Sequence, residues 1–394
     1  MQLDINEPAD KSPRFALFAL GFRPFFLFAA LFSCVLMFVW IASGAGQGAP
    51  QGKSVLWHSH EMLFGYTVAV IAGFLLTAVK NWTGQQTLHG VPLLLLSGLW
   101  LAGRVAMLLY PQIHNIVPAI VDIGFLLVLT IAVMLPIVRV RQWHNLLFVP
   151  ILLALLLADV LVHLDLAGIT ATSRLGIYLA LDLILLLIVI MAGRVVPFFI
   201  ERAVPGASLR RWKAVEVLAV VTMLGFIVTD LLSLPDKLVF AIAMLALLVH
   251  AMRLVGWHAR GLWSLPMLWV LFLGYGWLVA GFLLRTLDAA GMHTGLLAVH
   301  AFTAGTIGVL TLGMMARVAL GHTGRGIHAP PLIIMAFILV NLAALLRVTG
   351  PLLLPQYYPA LMTISGSLWI MAFALFCLRY VPILLMSRID GRPG

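Results

Sequence analysis

Apolar residues fall in twelve long runs along this chain, near 22–42, 60–80, 91–110, 116–138, 145–167, 175–197, 213–233, 237–257, 264–287, 293–317, 330–350 and 358–386. A helix needs ~20 mostly apolar residues to cross a hydrocarbon core. The runs do not alternate polar with apolar residues, as barrel strands would. A backbone in lipid must pair its own polar groups, so each run is predicted to be a helix. Connections are short, and the longest, about 198–212, joins the two halves. The expected fold is all-α: one polytopic membrane domain over 1–394, with about twelve spans.

Composition agrees. With 63% hydrophobic residues, 10% charged residues and a mean hydropathy of +1.10, no soluble class fits. The first residues, MQLDINEPADKSPR, are polar and acidic, unlike the basic start of a cleavable signal, so span 1 is expected to stay attached. The net charge of +10 is unevenly distributed. Placing the N-terminus in the cytoplasm puts Lys11, Arg14, Lys80, Arg139, Arg141, Arg194, Arg202, Arg210, Arg211, Lys213, Arg253, Arg260, Arg317, Arg325, Arg379, Arg388 and Arg392 on the inner side. Lys53, Arg174 and Lys237 lie on the other, with Arg285 and Arg347 near helix ends. This bias predicts N-in, C-in topology. Basic residues scattered in this way leave no nucleic-acid footprint. Cys34 and Cys377 lie in separate spans and form no CxxC pair.

Two segments align without a gap: HEMLFGYTVAVIAGFLLTAVKNWTG from His60, and HAFTAGTIGVLTLGMMARVALGHTG from His300. They match at His60/His300, Gly65/Gly305, Gly73/Gly313 and Thr83-Gly84/Thr323-Gly324. Span 6 carries a fainter copy, MAGRVVPFF against MMARVALGH, which aligns Arg194 with Arg317 and puts Ile177 where the histidine would be. Spans 2, 6 and 10 are four apart, which suggests pseudo-repeats of four-helix units. The shared glycines suit close helix approach and would also admit a flat macrocycle. The tryptophans near span ends read as an interfacial belt.

The expected topology sorts the histidines by depth. His58, His60, His114, His163, His293 and His300 lie toward the outer face, and His89, His144, His258, His322 and His328 toward the inner; His250 lies inside span 8. Imidazole is a frequent metal and haem ligand. His58 and His60 would point ~200° apart on a regular helix, so they cannot serve one centre from within it. His58 and Met62 are spaced i, i+4, while His293 and His300, at i, i+7, would share a face ~10 Å apart. Intramembrane charges are costly and usually functional. Those present are Glu61, Arg104, Asp122, Asp159, Asp165, Asp182, Glu216, Asp230, Arg285 and Asp288. Buried arginines would pair with haem propionates, or within the chain, as Arg285 could with Asp288 at i, i+3.

The segments GFRPFFL (21–27), WHSHEMLFGY (57–66), GFLLTAVKNWTG (73–84), LWLAGR (99–104), GRVVPFF (193–199), the His300 segment and LGHTGR (320–325) together resemble the NnrS family of bacterial inner-membrane proteins. Lys80 departs from the family pattern, where proline is common, at the inner end of span 2. The resemblance implies a twelve-span protein that binds haem and copper and acts in nitric oxide metabolism, denitrification and resistance to nitrosative stress. It points to the histidines of the WHSHEM and His300 segments as ligands. Histidines on spans 2 and 10 and the four-helix period are also reminiscent of haem–copper oxidase subunit I. Spans 6 and 7 here lack the copper-binding histidines of those enzymes, so neither dioxygen reduction nor proton pumping of that type is expected.

The expected site lies near the periplasmic face between spans 2 and 10. His60 and His300 would be axial ligands to haem b, and Arg104 and Arg285 would anchor propionates. His58 and His293, with His163, would hold copper or a second haem. Nitric oxide would reach this centre directly from the lipid bilayer, and turnover would need a separate electron donor. Two other classes fit twelve repeated spans: a proton-coupled secondary transporter using buried carboxylates such as Asp182 and Glu216, and a haem sensor or assembly factor without turnover.

Overall fold

The computed structural model describes residues 15–44, 55–110 and 116–391. His114 and Lys53 lie outside the described residues, as do Lys11, Arg14 and Arg392. Among the described residues, twelve helices are long and apolar enough to cross a membrane. They are Phe22–Ala42, Val55–Thr83, Val91–Leu109, Ile116–Arg139, Trp143–Leu166, Ser173–Ala203, Lys213–Leu231, Asp236–Gly256, Pro266–Met292, Gly295–His322, Pro331–Leu353 and Pro355–Leu385, here spans 1 to 12. Each predicted run is recovered. The observed helices extend furthest beyond the runs at the start of span 2 and at the ends of spans 6, 9 and 10.

The spans form a closed ring of neighbours, each packed on the next, with span 12 returning to span 1. Spans 2, 6 and 10 sit inside the ring. Their buried shares are 89, 67 and 61%, against 33 to 50% for the rest. Span 6 touches both the others, and Tyr66 of span 2 hydrogen-bonds Thr311 of span 10 at 2.6 Å. Three four-helix units result: 2–5, 6–9 and 10–12 with span 1. Each unit is closed by the inner helix of the next.

The sequence repeat is also a repeat of backbone geometry. Val55–His60 is α-helical, Glu61–Thr67 is wound as π-helix, and α-helix resumes at Val68. Span 10 does the same with Gly295–His300, Ala301–Ile307 and Gly308 onward. Both histidines thus immediately precede a wide turn, a feature often found at functional sites.

One face of the bundle carries the start of span 1 and the end of span 12, where Phe15 pairs with Met386 and the Ala16 amide donates to the Leu385 carbonyl at 2.7 Å. Beside them, Arg23 Nη1 donates to the carbonyls of Leu384 (3.1 Å) and Met386 (2.6 Å), which ties span 1 to the end of span 12. This is the terminal face; the other is the distal face.

Spans 5 and 6 approach through Gly176, where an added Cβ would lie 2.5 Å from the Ala158 carbonyl oxygen. Backbone cannot yield as a side chain can, so Gly176→Val is expected to destabilise the fold by about 1–3 kcal/mol, the usual cost of overpacking. Gly98, with nothing within 4 Å of its added Cβ, should accept the same change with little effect. Thermal unfolding in detergent compares the two.

Candidate metal centre

Inside the first unit, near the distal face, four spans bring charged and imidazole groups to one point. His60 and Glu61 come from span 2, Arg104 from span 3, Asp122 from span 4, and Asp159 and His163 from span 5. Each lies within about two turns of its helix's distal end. All six are buried.

His60 is held from both sides: Nδ1 lies 2.9 Å from Glu61 Oε1 and Nε2 3.0 Å from Asp159 Oδ1. His163 Nε2 lies 3.5 Å from Asp159 Oδ1 and 3.6 Å from Asp122 Oδ2. Asp122 Oδ2 is also 3.8 Å from His60 Nε2. Arg104 clamps the acidic side, donating to Glu61 Oε1 at 2.6 Å and, through Nη2, to Asp122 Oδ1. Two glycines make room for this pair. A Cβ on Gly65 would meet Arg104 Nη1 at 2.9 Å, and one on Gly103 would meet Asp122 Oδ1 at 2.5 Å.

The donor atoms of His60, Asp122, Asp159 and His163 all fall within 4.8 Å of one another. Among the described residues, Glu61 Oε2, Asp122 Oδ2, Asp159 Oδ2 and His163 Nε2 have no hydrogen-bond partner. With neutral imidazoles, three carboxylates and one guanidinium leave two negative charges in an apolar interior. Buried charge without compensation is strongly unfavourable, and one divalent cation would cancel it.

Several sequence-based assignments change. His60 and His300 do not converge on one partner. His60 enters the first unit, whereas His300 Nδ1 donates to the Leu296 carbonyl at 2.7 Å and lies within the field of Arg347 and His58. Arg104 is not free for a propionate, because Glu61 and Asp122 occupy it. Arg285 is likewise engaged, by Asp230 at 2.8 Å and Asp288 at 2.9 Å. His293 is exposed in the connection before span 10 at φ 53°, so its helical spacing to His300 does not exist. His58 is helical, as its spacing allowed, and stacks on Trp40 (centroids 4.3 Å apart) while its Nδ1 is buried without a hydrogen-bond partner. His250 has a packing role, sharing a 2.7 Å hydrogen bond with Tyr275 and stacking on Phe282.

Sequence reasoning named Glu61, Asp122 and Asp159 only as costly intramembrane charges. Their common depth was the available signal.

Twelve helices able to cross a membrane, with a buried histidine–carboxylate cluster inside the first four-helix unit, define a polytopic membrane protein with a candidate metal centre. A family model described as NnrS protein matches residues 16–388, and the chain belongs to the NnrS family. No curated protein matches it.

Removing the clamp tests the charge balance. Arg104→Met leaves Glu61 and Asp122 buried without their cation, and breaking a buried pair in this way costs about 3–5 kcal/mol. The variant should melt well below the parent, and a divalent metal should recover part of the loss if the cluster takes one. Thermal unfolding with and without added metal reads both effects.

Proposed function

We propose that this protein is a bacterial inner-membrane metalloprotein that acts on nitric oxide under nitrosative stress and holds one divalent transition-metal ion on His60, His163, Asp122 and Asp159. The observation that carries the metal site is the convergence of those four donors within 4.8 Å, around three carboxylates of which Arg104 offsets one charge. Membership of the NnrS family supports the nitric oxide assignment.

The donor set bears on which group fits. Two imidazoles and two carboxylates suit copper(II), iron(II) or zinc, and lack the sulfur donors that favour cuprous ion. With a metal bound, Glu61 would act from behind: by accepting from His60 Nδ1–H it would leave Nε2, which here faces Asp159 Oδ1 at 3.0 Å, as the ligating nitrogen. Carboxylates position ligating histidines in this way. Arg104 limits the negative charge, and metal binding would release any protons held by the imidazoles. Copper or iron, when bound, supplies one-electron chemistry.

Haem does not fit at His60, since Asp122, Asp159 and His163 crowd its Nε2 and leave no room for a macrocycle. His58 and His300 suit it better. The His300 Nδ1–H bond to Leu296 leaves Nε2 as the lone-pair nitrogen, and His58 Nδ1 is unpartnered. Arg347, whose field reaches both rings, supplies a cation for a propionate. The two sites together would serve binding, reduction or removal of nitric oxide at the distal side, read as periplasmic from the charge bias.

Metal analysis and absorption spectra of single variants test this reading. His60→Ala and Asp159→Ala should each lose the ion and keep the Soret band. His58→Ala and His300→Ala should lose or weaken the Soret band and keep the ion. A full metal equivalent in the His60→Ala/His163→Ala double variant would sink the four-ligand site.

A second reading, proton-coupled transport, is favoured by one observation. Asp182 of span 6 is buried with both carboxylate oxygens unpartnered, within the field of Asp230 and Arg285. Glu216, by contrast, is paired with Arg253. If transport is the function, Asp182→Asn should abolish proton movement in proteoliposomes. Under the metalloprotein reading, metal content and spectrum should both survive that change.

A further inference from the structure

A partly open apolar cavity of about 90 Å³ lies among the three inner helices, with Phe26 of span 1 and Leu271 of span 9 also at its wall. Span 2 lines it with Thr67 and Val70, span 6 with Leu187 and Ala192, and span 10 with Leu310 and Thr311. Its walls present no polar surface. The two threonines are no exception, because each hydroxyl is turned to its own helix. Thr67 Oγ1 donates to the Met62 carbonyl at 2.7 Å and Thr311 Oγ1 to the Ile307 carbonyl at 2.6 Å. Thr311 therefore accepts from Tyr66 in their 2.6 Å contact.

A water molecule needs only ~10–15 Å³ of such space but also two to four polar partners. Size admits water here and chemistry does not. Apolar cavities of this kind stay dry and take xenon or small apolar molecules. The cavity is also close to the metal cluster. Thr67 ends the wide helical stretch that Glu61 begins, directly after His60. Phe64, between the two in sequence, has its ring 4.9 Å from the His60 imidazole.

We propose that this cavity is a binding chamber for one small, neutral, apolar gas molecule, of which nitric oxide and dioxygen are the relevant class. It holds gas on the axis of the bundle beside the first unit. The identity of the gas rests on the function proposed above; the binding itself does not depend on a metal.

Xenon is the probe. Crystals of the full chain pressurised with xenon should show an anomalous peak among spans 2, 6 and 10, with or without bound metal. Ala192→Phe should abolish the peak. Ala192→Leu, a milder filling, should weaken or abolish it if the larger variant does not fold. Val105→Phe, at a half-exposed site on span 3, should leave it unchanged. Ordered water or a lipid chain filling the chamber would overturn the proposal, as would a peak that persists in the filled variants. A xenon peak in a protein that takes up no metal would leave the chamber standing and remove the metal reading.

Discussion

Unbalanced negative charge in an apolar interior is the constraint around which the distal half of this protein is arranged. Taking a carboxylate out of water costs several kcal/mol even after the surroundings relax. Glu61, Asp122 and Asp159 are all buried, and Arg104 offsets only one of the three charges. The remainder demands either protons on the imidazoles or another cation. That demand explains local features which otherwise look unrelated. Gly65 and Gly103 omit side chains where the guanidinium and its carboxylate must fit. Trp100 packs beside them with its indole N–H on the Gly65 carbonyl at 3.0 Å. His60 has a carboxylate at each ring nitrogen.

The threefold arrangement governs how the repeated histidines are used. Residues related by such a rotation occupy the same depth, but they face different units, as the blades of a propeller do. His60 therefore meets spans 4 and 5, and His300 meets the surroundings of Arg347 and His58. The middle copy has the apolar Ile177 at the corresponding position. Repetition made two imidazoles equivalent without making them partners. His58, two residues from His60 and turned away from it, is the imidazole that joins the His300 environment.

The fold was almost wholly legible in the sequence, because hydrocarbon imposes a length and a helical backbone on any chain that crosses it. Span count, the four-helix period and the equivalence of spans 2 and 10 all followed from apolar runs and one gapless alignment. The site was half legible. Depth could be read, so His60 and His163 fall toward one face, while Arg104, Asp122 and Asp159 stand out as intramembrane charges. Azimuth could not, since which helices stand side by side is set by packing between distant segments. The extended π-helical turns after His60 and His300 add to this. They shift the rotation of the following residues by an amount that regular helical spacing does not anticipate. Pairings such as Arg285 with Asp230, 55 residues apart, were hidden for the same reason, whereas its i, i+3 contact with Asp288 could be foreseen.

The tie between Arg23 and the end of span 12 has a consequence for the order of assembly. Chains emerge from the ribosome N-terminal end first. Span 1 therefore reaches the bilayer when the carbonyls of Leu384 and Met386, some 360 residues downstream, have yet to be made. Until then its guanidinium must stay at the lipid headgroups. Span 1 is accordingly locked to span 12 late, and the circle of spans closes only once span 12 has been made.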